Sequence, residues 1–414
     1  MPGHGKPHVA QSYECAHAHV GHDTRPIAQP LPPAMGGCNS VPITSEAMSD
    51  NGFDVFSADS HVIEPHDLWQ IYTVEAFRDR APRLVHEETT DRLVCDQARL
   101  PPIGLLAGCM RTDDNVRAKG RWDEDVPDVG WDPEVRMEAL RTDGVTGEVL
   151  YPTIAMQMYP IQDVEFQWAL FEAYNTWVGE FVSQIPDTFV GIALLSPVDL
   201  ERAAKEIKRC RDMGLKGVMI PVVSGEDNPY QDPAFDPLWA AAVEHSMPVN
   251  LHAATTRDPK KAWDQGTSTR SVLQTVDIQE VVLDLIFGGV FDRFPDLKIV
   301  SAENDVGWAG NLLERADYWF HRHSQLLKDM NCEQEPSYYW RKNFRVTFMR
   351  DLTGVAARDI IGTETMMWGN DFPHHVSTWP NSQTVIAEHF ADAPDDVRHA
   401  IVSGNVRQLY DIQV

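Results

Sequence analysis

Asp59 and His61 stand one residue apart where an apolar run, Phe53 to Phe56, breaks into polar residues. On an extended backbone, side chains two positions apart face the same way. A carboxylate and an imidazole so placed can close on one divalent cation from a single strand end. Taken alone, the stretch reads equally well as a strand entering a polar turn with Asp59 as its cap. His252, Glu303 and Asp371 change that balance, because each closes an apolar run of its own. One apolar-flanked histidine is more often a satisfied core residue, but five such side chains at strand ends form the donor set that Zn²⁺, Mn²⁺ or Fe²⁺ accept.

For these residues to meet, widely separated strands must finish at one place. The apolar runs are Phe53–Phe56, Gly147–Pro152, Phe189–Ser196, Gly217–Ile220, Pro248–His252, Leu297–Glu303, Phe344–Phe348 and Met366–Asp371. Helical patterns lie between them. One opens at Asp132-Pro133, with proline at its first turn, and ends before Gly144. Another carries Phe166, Leu170, Tyr174 and Trp177 at helical spacing, and a third runs from a cap at Asp199 to Met213. Further helices are predicted at Phe235–Glu244, Val272–Phe291, Trp308–His321 and Leu352–Ile361, and the chain closes on helical sequence from Asn381 to Tyr410. Eight strands joined by helices predict an α/β fold, a closed (β/α)8 TIM-like barrel with extra C-terminal helices. No glycine-rich GxGxxG follows a strand, which argues against dinucleotide binding.

Two regions stand outside this rhythm. Residues 1–52 carry seven prolines and His17, His19 and His22, without sustained periodicity, and read as an irregular His- and Pro-rich tail ahead of a barrel over 53–414. Residues 66 to about 130 form an insertion after strand 1, with Leu93–Cys95 and Ile103–Leu106 as strands of a short hairpin. Such an insertion either covers an active site or decorates the surface.

Composition bounds the partners. Lys and Arg number 35 against 62 Asp and Glu, a formal charge of −27, which disfavours nucleic acid. A site cation can still reverse the field locally for a small anionic substrate. No apolar run is long enough to span a bilayer. The six scattered cysteines lack CxxC spacing, so a reducing cytoplasm is the expected compartment.

Four pieces carry a family resemblance: Ser57 to Pro65, Asp143 to Thr153, Phe291 to Lys298 and Trp368 to His374. With them the sequence resembles the amidohydrolase superfamily, in the branch that includes aminocarboxymuconate-semialdehyde decarboxylase and the hydroxybenzoate-type decarboxylases. The resemblance runs from about residue 53 to the end. It implies one divalent metal, zinc first and Mn²⁺ or Fe²⁺ as alternatives, held by Asp59, His61, His252 and Asp371, with Asp371 also handling protons. His374 fits the family piece as a proton carrier. Decarboxylating relatives have a His where this chain has Ser301, and Glu303 is the candidate to replace it. Arg350 follows Phe348-Met349 and is a candidate partner for a substrate carboxylate; a surface ion pair is the plainer reading.

The expected activity is metal-dependent hydrolysis or non-oxidative decarboxylation of a small carboxylate or aromatic acid. A second reading is a dinuclear Mn/Fe, O₂-dependent hydroxylase, in which Glu148 and Glu303 serve a second ion. A third is a non-catalytic partner subunit of a hetero-oligomer. Relatives in this branch suggest a homodimer.

Overall fold

In the computed structural model, residues 52–111, 116–225, 229–263 and 268–413 are described. The His-rich tail expected over 1–52 therefore lies outside the described residues, except for Gly52.

Ten strands are present: β1 Phe56–His61, β2 Arg83–His86, β3 Asp91–Val94, β4 Gly147–Tyr151, β5 Phe189–Leu194, β6 Gly217–Val223, β7 Val249–Thr256, β8 Ile299–Ala302, β9 Phe344–Phe348 and β10 Met366–Trp368. Eight of them form one parallel sheet in the order β1-β4-β5-β6-β7-β8-β9-β10. The backbone after β10 closes the ring onto β1. Asp371 N donates to Asp59 O (2.9 Å) and His61 N donates to Phe372 O (2.7 Å). The result is the expected (β/α)8 barrel, its strands buried on both faces because helices cover the outside.

Local sequence explains the covering helices. Asp132 Oδ1 accepts from Glu134 N and Val135 N, Pro133 opens the first turn, and Gly144 at φ +70° ends the helix Pro133–Asp143. Asp163 and Asp199 cap Val164–Ser183 and Leu200–Asp212 in the same way. The aromatic stripe Phe166, Tyr174 and Trp177 is buried against the barrel.

Three expectations change. β1 starts at Phe56 and not at Phe53, and it ends in Asp59 and His61 as expected, paired with β4 up to His61↔Tyr151. The hairpin after it is β2 with β3, antiparallel, while Ile103–Leu106 is a helical turn. Pro101 and Pro102 cannot donate to a ladder and instead precede that turn. The helix expected over Val272–Phe291 is broken into Thr275–Phe287 and Val290–Arg293, with Gly289 at φ +69° between them.

The segment between β1 and β4 lies over the β10 loop. A Cβ on Gly108 would stand 2.5 Å from His375 Cβ, so only glycine permits this approach. Among the described residues, no helix is long and apolar enough to cross a membrane.

Candidate active site

At the C-terminal ends of the barrel strands, Asp59, His61 and His252 come together, all buried. His61 Nε2 lies 3.2 Å from His252 Nε2, and Asp59 Oδ1 lies 3.9 and 3.6 Å from these two nitrogens. Asp371 Oδ1 is 3.5 Å from His61 Nε2. Asp59, His61 and His252 form one group and His61, Asp371 and His374 a second, so β1, β7 and the loop after β10 meet at His61.

The hydrogen bonds behind each imidazole decide what it presents to the centre. His61 Nδ1 donates to Pro152 O (3.0 Å), which leaves the Nε2 lone pair facing inward. His252 Nδ1 is held by Ala253 O (3.1 Å) and lies 3.5 Å from Glu303 Oε2. Two Nε2 lone pairs 3.2 Å apart repel unless a cation or a proton sits between them. Ligands about 2.1 Å from one tetrahedral ion stand about 3.4 Å apart, close to the separation observed. Asp59 Oδ2 accepts from Thr347 Oγ1 at 2.6 Å, whereas Asp59 Oδ1 is buried with no hydrogen-bond partner. An orphaned carboxylate oxygen beside two inward lone pairs fits a divalent cation.

Without the ion, a proton takes its place. Burial works against charge on His252, but Asp59 and then Glu303 outweigh it and raise its pKa to about 9. His61 is pushed well below the ordinary imidazole value by burial and by the positive charges of His374 and His252. Glu303 is raised to about 8 by burial and by Asp371. Its side chain is 34 % exposed, so it faces the open side of the site while Asp59 and His61 line the closed side.

His374 belongs to the site as well. Its ring lies against that of His61, 4.1 Å between centroids. Nδ1 meets Asp371 Oδ1 at 2.8 Å and Nε2 meets Thr153 Oγ1 at 3.1 Å. The Thr153 hydroxyl donates to Val62 O (2.7 Å), so it can only accept from His374. With Nε2–H thereby fixed, a second proton lies between Nδ1 and the carboxylate. Burial opposes the imidazolium, yet Asp371 raises the His374 pKa above its ordinary value. Asp371 Oδ2, like Asp59 Oδ1, is buried without a hydrogen-bond partner.

Backbone geometry is concentrated here too. Ala254, Glu303, Asp305 and Asp371 all have φ between +50° and +61°. Such conformations cost free energy and are kept where they aim side chains.

Two expected residues are not brought to this cluster. Glu148 is one layer down the barrel, opposite Ser57, with Oε2 2.6 Å from Arg136 Nε and both side chains fully buried. That oxygen pairs with Arg136, while Oε1 is buried without a hydrogen-bond partner. Arg350 is exposed, and its charge acts on His389. Ser301 Oγ, in place of the relatives' histidine, is buried with no hydrogen-bond partner.

Sequence reading missed Arg136 and Thr347. Arg136 Nη1 donates to His61 O (2.8 Å) and Nη2 to Phe372 O (3.4 Å), so one guanidinium ties β1 to the loop that carries Asp371. Glu64, also buried, accepts from Ile154 N and Ala155 N (both 2.8 Å) and so fixes the loop after β4 that presents Thr153. Burial raises the Glu64 carboxyl to about 7 against these two bonds.

A family model described as Amidohydrolase matches residues 58–412. The 2-amino-3-carboxymuconate-6-semialdehyde decarboxylase of Dictyostelium discoideum is 24% identical over 306 residues, covering 70% of this chain and 79% of the relative. The gamma-resorcylate decarboxylase of Rhodococcus jostii is 25% identical over 238 residues, covering 51% of this chain and 69% of the relative. A crystal structure of 5-carboxyvanillate decarboxylase from Novosphingobium aromaticivorans, complexed with manganese and 4-hydroxy-3-methoxy-5-nitrobenzoic acid, superposes with a TM-score of 0.63 at 19% identity, covering 87% of this chain and 96% of that one. At that identity the likeness shows the shared barrel.

Proposed function

Because the chain belongs to the amidohydrolase family and is a metal-dependent enzyme of it, we propose that it is a non-oxidative decarboxylase of a small aromatic acid, using one divalent cation held by Asp59, His61, His252 and Asp371. The observation that carries the metal is the pair of inward Nε2 lone pairs beside the unbonded Asp59 Oδ1. Mn²⁺ and Zn²⁺ both accept two imidazoles and two carboxylates. The barrel over 53–414 is the catalytic unit in this reading, with the insertion near 66–130 over its mouth.

A bound cation supplies a Lewis acid that grips the substrate carboxylate and a neighbouring oxygen. The remaining chemistry belongs to the side chains. His374 passes its Nδ1 proton to Asp371 Oδ1, and the resulting Asp371 carboxylic acid gives that proton to the ring carbon bearing the carboxylate. The carbon–carboxylate bond then breaks, its electron pair returns to the ring, and CO₂ leaves. His374, with a fifth of its side chain exposed, restores the proton from solvent, held in line by Thr153. Glu303, raised to about 8 and partly exposed, takes the position facing the substrate that Ser301 is too short to fill.

The named relatives are decarboxylases, which favours this reaction over hydrolysis on the same residues. A dinuclear hydroxylase would need Glu148, which pairs with Arg136 through Oε2 one layer below the cluster, to serve a second ion. The test is to load metal-free protein with Mn²⁺ or Zn²⁺ and offer hydroxylated and methoxylated benzoates. Release of CO₂ with the decarboxylated arene as product is expected. Amide or ester cleavage with no CO₂ from any acid would replace this reading with hydrolysis.

A further inference from the structure

The barrel closes between β10 and β1, and among the described residues no strand ladder joins these two. Two backbone bonds cross the gap, from Asp371 N to Asp59 O and from His61 N to Phe372 O. Lower in the seam, Asn370 Oδ1 accepts from Ser57 Oγ (3.0 Å) and Ser60 Oγ (2.8 Å). At the level of the site, the side chain that spans it is Arg136 of helix Pro133–Asp143. Nη1 donates to His61 O (2.8 Å), Nη2 to Phe372 O (3.4 Å) and Nε to Glu148 Oε2 (2.6 Å). We propose that Arg136 is a positioning residue for Asp371, holding the loop after β10 against β1 so that this carboxylate reaches both His61 and His374. The proposal rests on the decarboxylase reading above and adds to it the group that keeps the proton donor in place.

The backbone at Asp371 needs such support. Its φ is +52°, a conformation that costs free energy and persists only where neighbours hold it. On one side its own N–H is held by Asp59 O. On the other, the next carbonyl, Phe372 O, accepts from both His61 N and Arg136. His61 has its N–H and its carbonyl in the same knot, so a change at the guanidinium is felt at both residues. Only a planar fork serves here, because carbonyls on two segments must be met while Nε faces a carboxylate. A third carbonyl, Val129 O at the end of the insertion, lies 3.3 Å from Nη1. The charge itself is fully buried and is balanced by Glu148. Arg136 therefore acts through the backbones of His61 and Phe372 and not on the reacting atoms.

The plainer role is an ion pair that only fastens the helix to the barrel, and the experiment separates the two. Arg136→Lys keeps the charge and gives up the fork. It should lower kcat by about 10²-fold with KM within about threefold of wild type, since a reacting group misplaced by about 1 Å costs that much in rate. Mn²⁺ affinity, read by competition with a chelator, should fall by no more than about tenfold, because Asp59, His61 and His252 stay together. The electron paramagnetic resonance spectrum of bound Mn²⁺ should move from the wild-type form toward that of Asp371→Asn, since both variants alter the same ligand.

Arg136→Met combined with Glu148→Leu removes the pair without stranding a buried charge, a replacement that proteins often tolerate. It should fold and bind Mn²⁺, yet keep the low kcat and the altered spectrum. Wild-type kcat and spectrum in this double variant would reduce Arg136 to the plainer role and overturn the proposal. A wild-type spectrum in Arg136→Lys would overturn it as well, and if that variant does not fold the double variant decides. The spectrum needs no substrate. Failure of every benzoate to lose CO₂ would therefore sink the decarboxylase reading while the spectrum still decides whether Arg136 places Asp371.

Discussion

The two sides of the site differ in where their protons are. On one side, His61 and His252 have both Nδ1 atoms tied to backbone carbonyls and turn bare Nε2 atoms toward each other and toward Asp59. On the other, His374 has its Nε2–H fixed on Thr153 and keeps a proton between Nδ1 and Asp371. The same residue type does opposite work because a different ring nitrogen is anchored. The first side takes a cation between its Nε2 atoms or, without one, a proton on His252. The second holds a proton that can be given away. Asp371 belongs to both, lying 3.5 Å from His61 and 2.8 Å from His374, so in the proposed reaction it would couple a bound metal to the proton.

Substitutions can break this division of labour. The largest effect is expected from His252→Ala, which should leave less than about a tenth of the wild-type metal content by elemental analysis and abolish activity, since removing one of a few ligands is rarely tolerated. Asp371→Asn should lower kcat by about 10³-fold or more while part of the metal is retained, because the amide can still face the ion but carries no transferable proton. His374→Gln should lower kcat by about 10²-fold with metal content unchanged, and should shift the pH–rate profile; loss of metal in this variant would show that the two sides are not separable. Thr347→Val removes the hydroxyl behind Asp59 and should weaken metal affinity by about 10- to 100-fold, read by competition with a chelator. The smallest effect concerns the metal-free protein. His252 is raised to about 9, so its contribution to stability is complete below 6.5 and is lost as pH rises through 9, and Glu303, raised from 4.5 to about 8, acts in the same direction. Depressed His61 has the opposite sign, its contribution being lost as pH falls below 6.5. The melting temperature of the metal-free protein should therefore fall between pH 6.5 and 9, and Mn²⁺ should remove that fall.

The grouping of Asp59, His61 and His252 was legible in the sequence. Asp59 and His61 are polar residues at a two-residue period at the end of an apolar run, and such a signal survives without a structure. His252 and Asp371 follow similar runs. The barrel was legible for the same reason, from eight apolar runs with helices between them. The supporting residues were not. Arg136 looks like one more charge on the helix Pro133–Asp143, and only the packing of that helix onto β1 and β4 shows it to be buried. Thr347 and Thr153 look like ordinary strand and loop residues, since nothing local marks a hydroxyl that will meet Asp59 or His374 from far along the chain. Arg350 follows a strand in the sequence, and its exposed side chain acts on His389 of the C-terminal helices. The insertion was misread where Pro101-Pro102 precedes an apolar run, a pattern that serves a helical turn as well as a strand.

The central claim is that one divalent cation binds between the two inward-facing histidines. A crystal structure of the Mn²⁺-loaded protein, with anomalous diffraction recorded at the manganese edge, tests it most directly. The account predicts a single strong peak within bonding distance of Asp59 Oδ1, His61 Nε2 and His252 Nε2, with Asp371 completing the set. A peak at some other group of side chains, or no peak in protein shown to contain manganese, would contradict it.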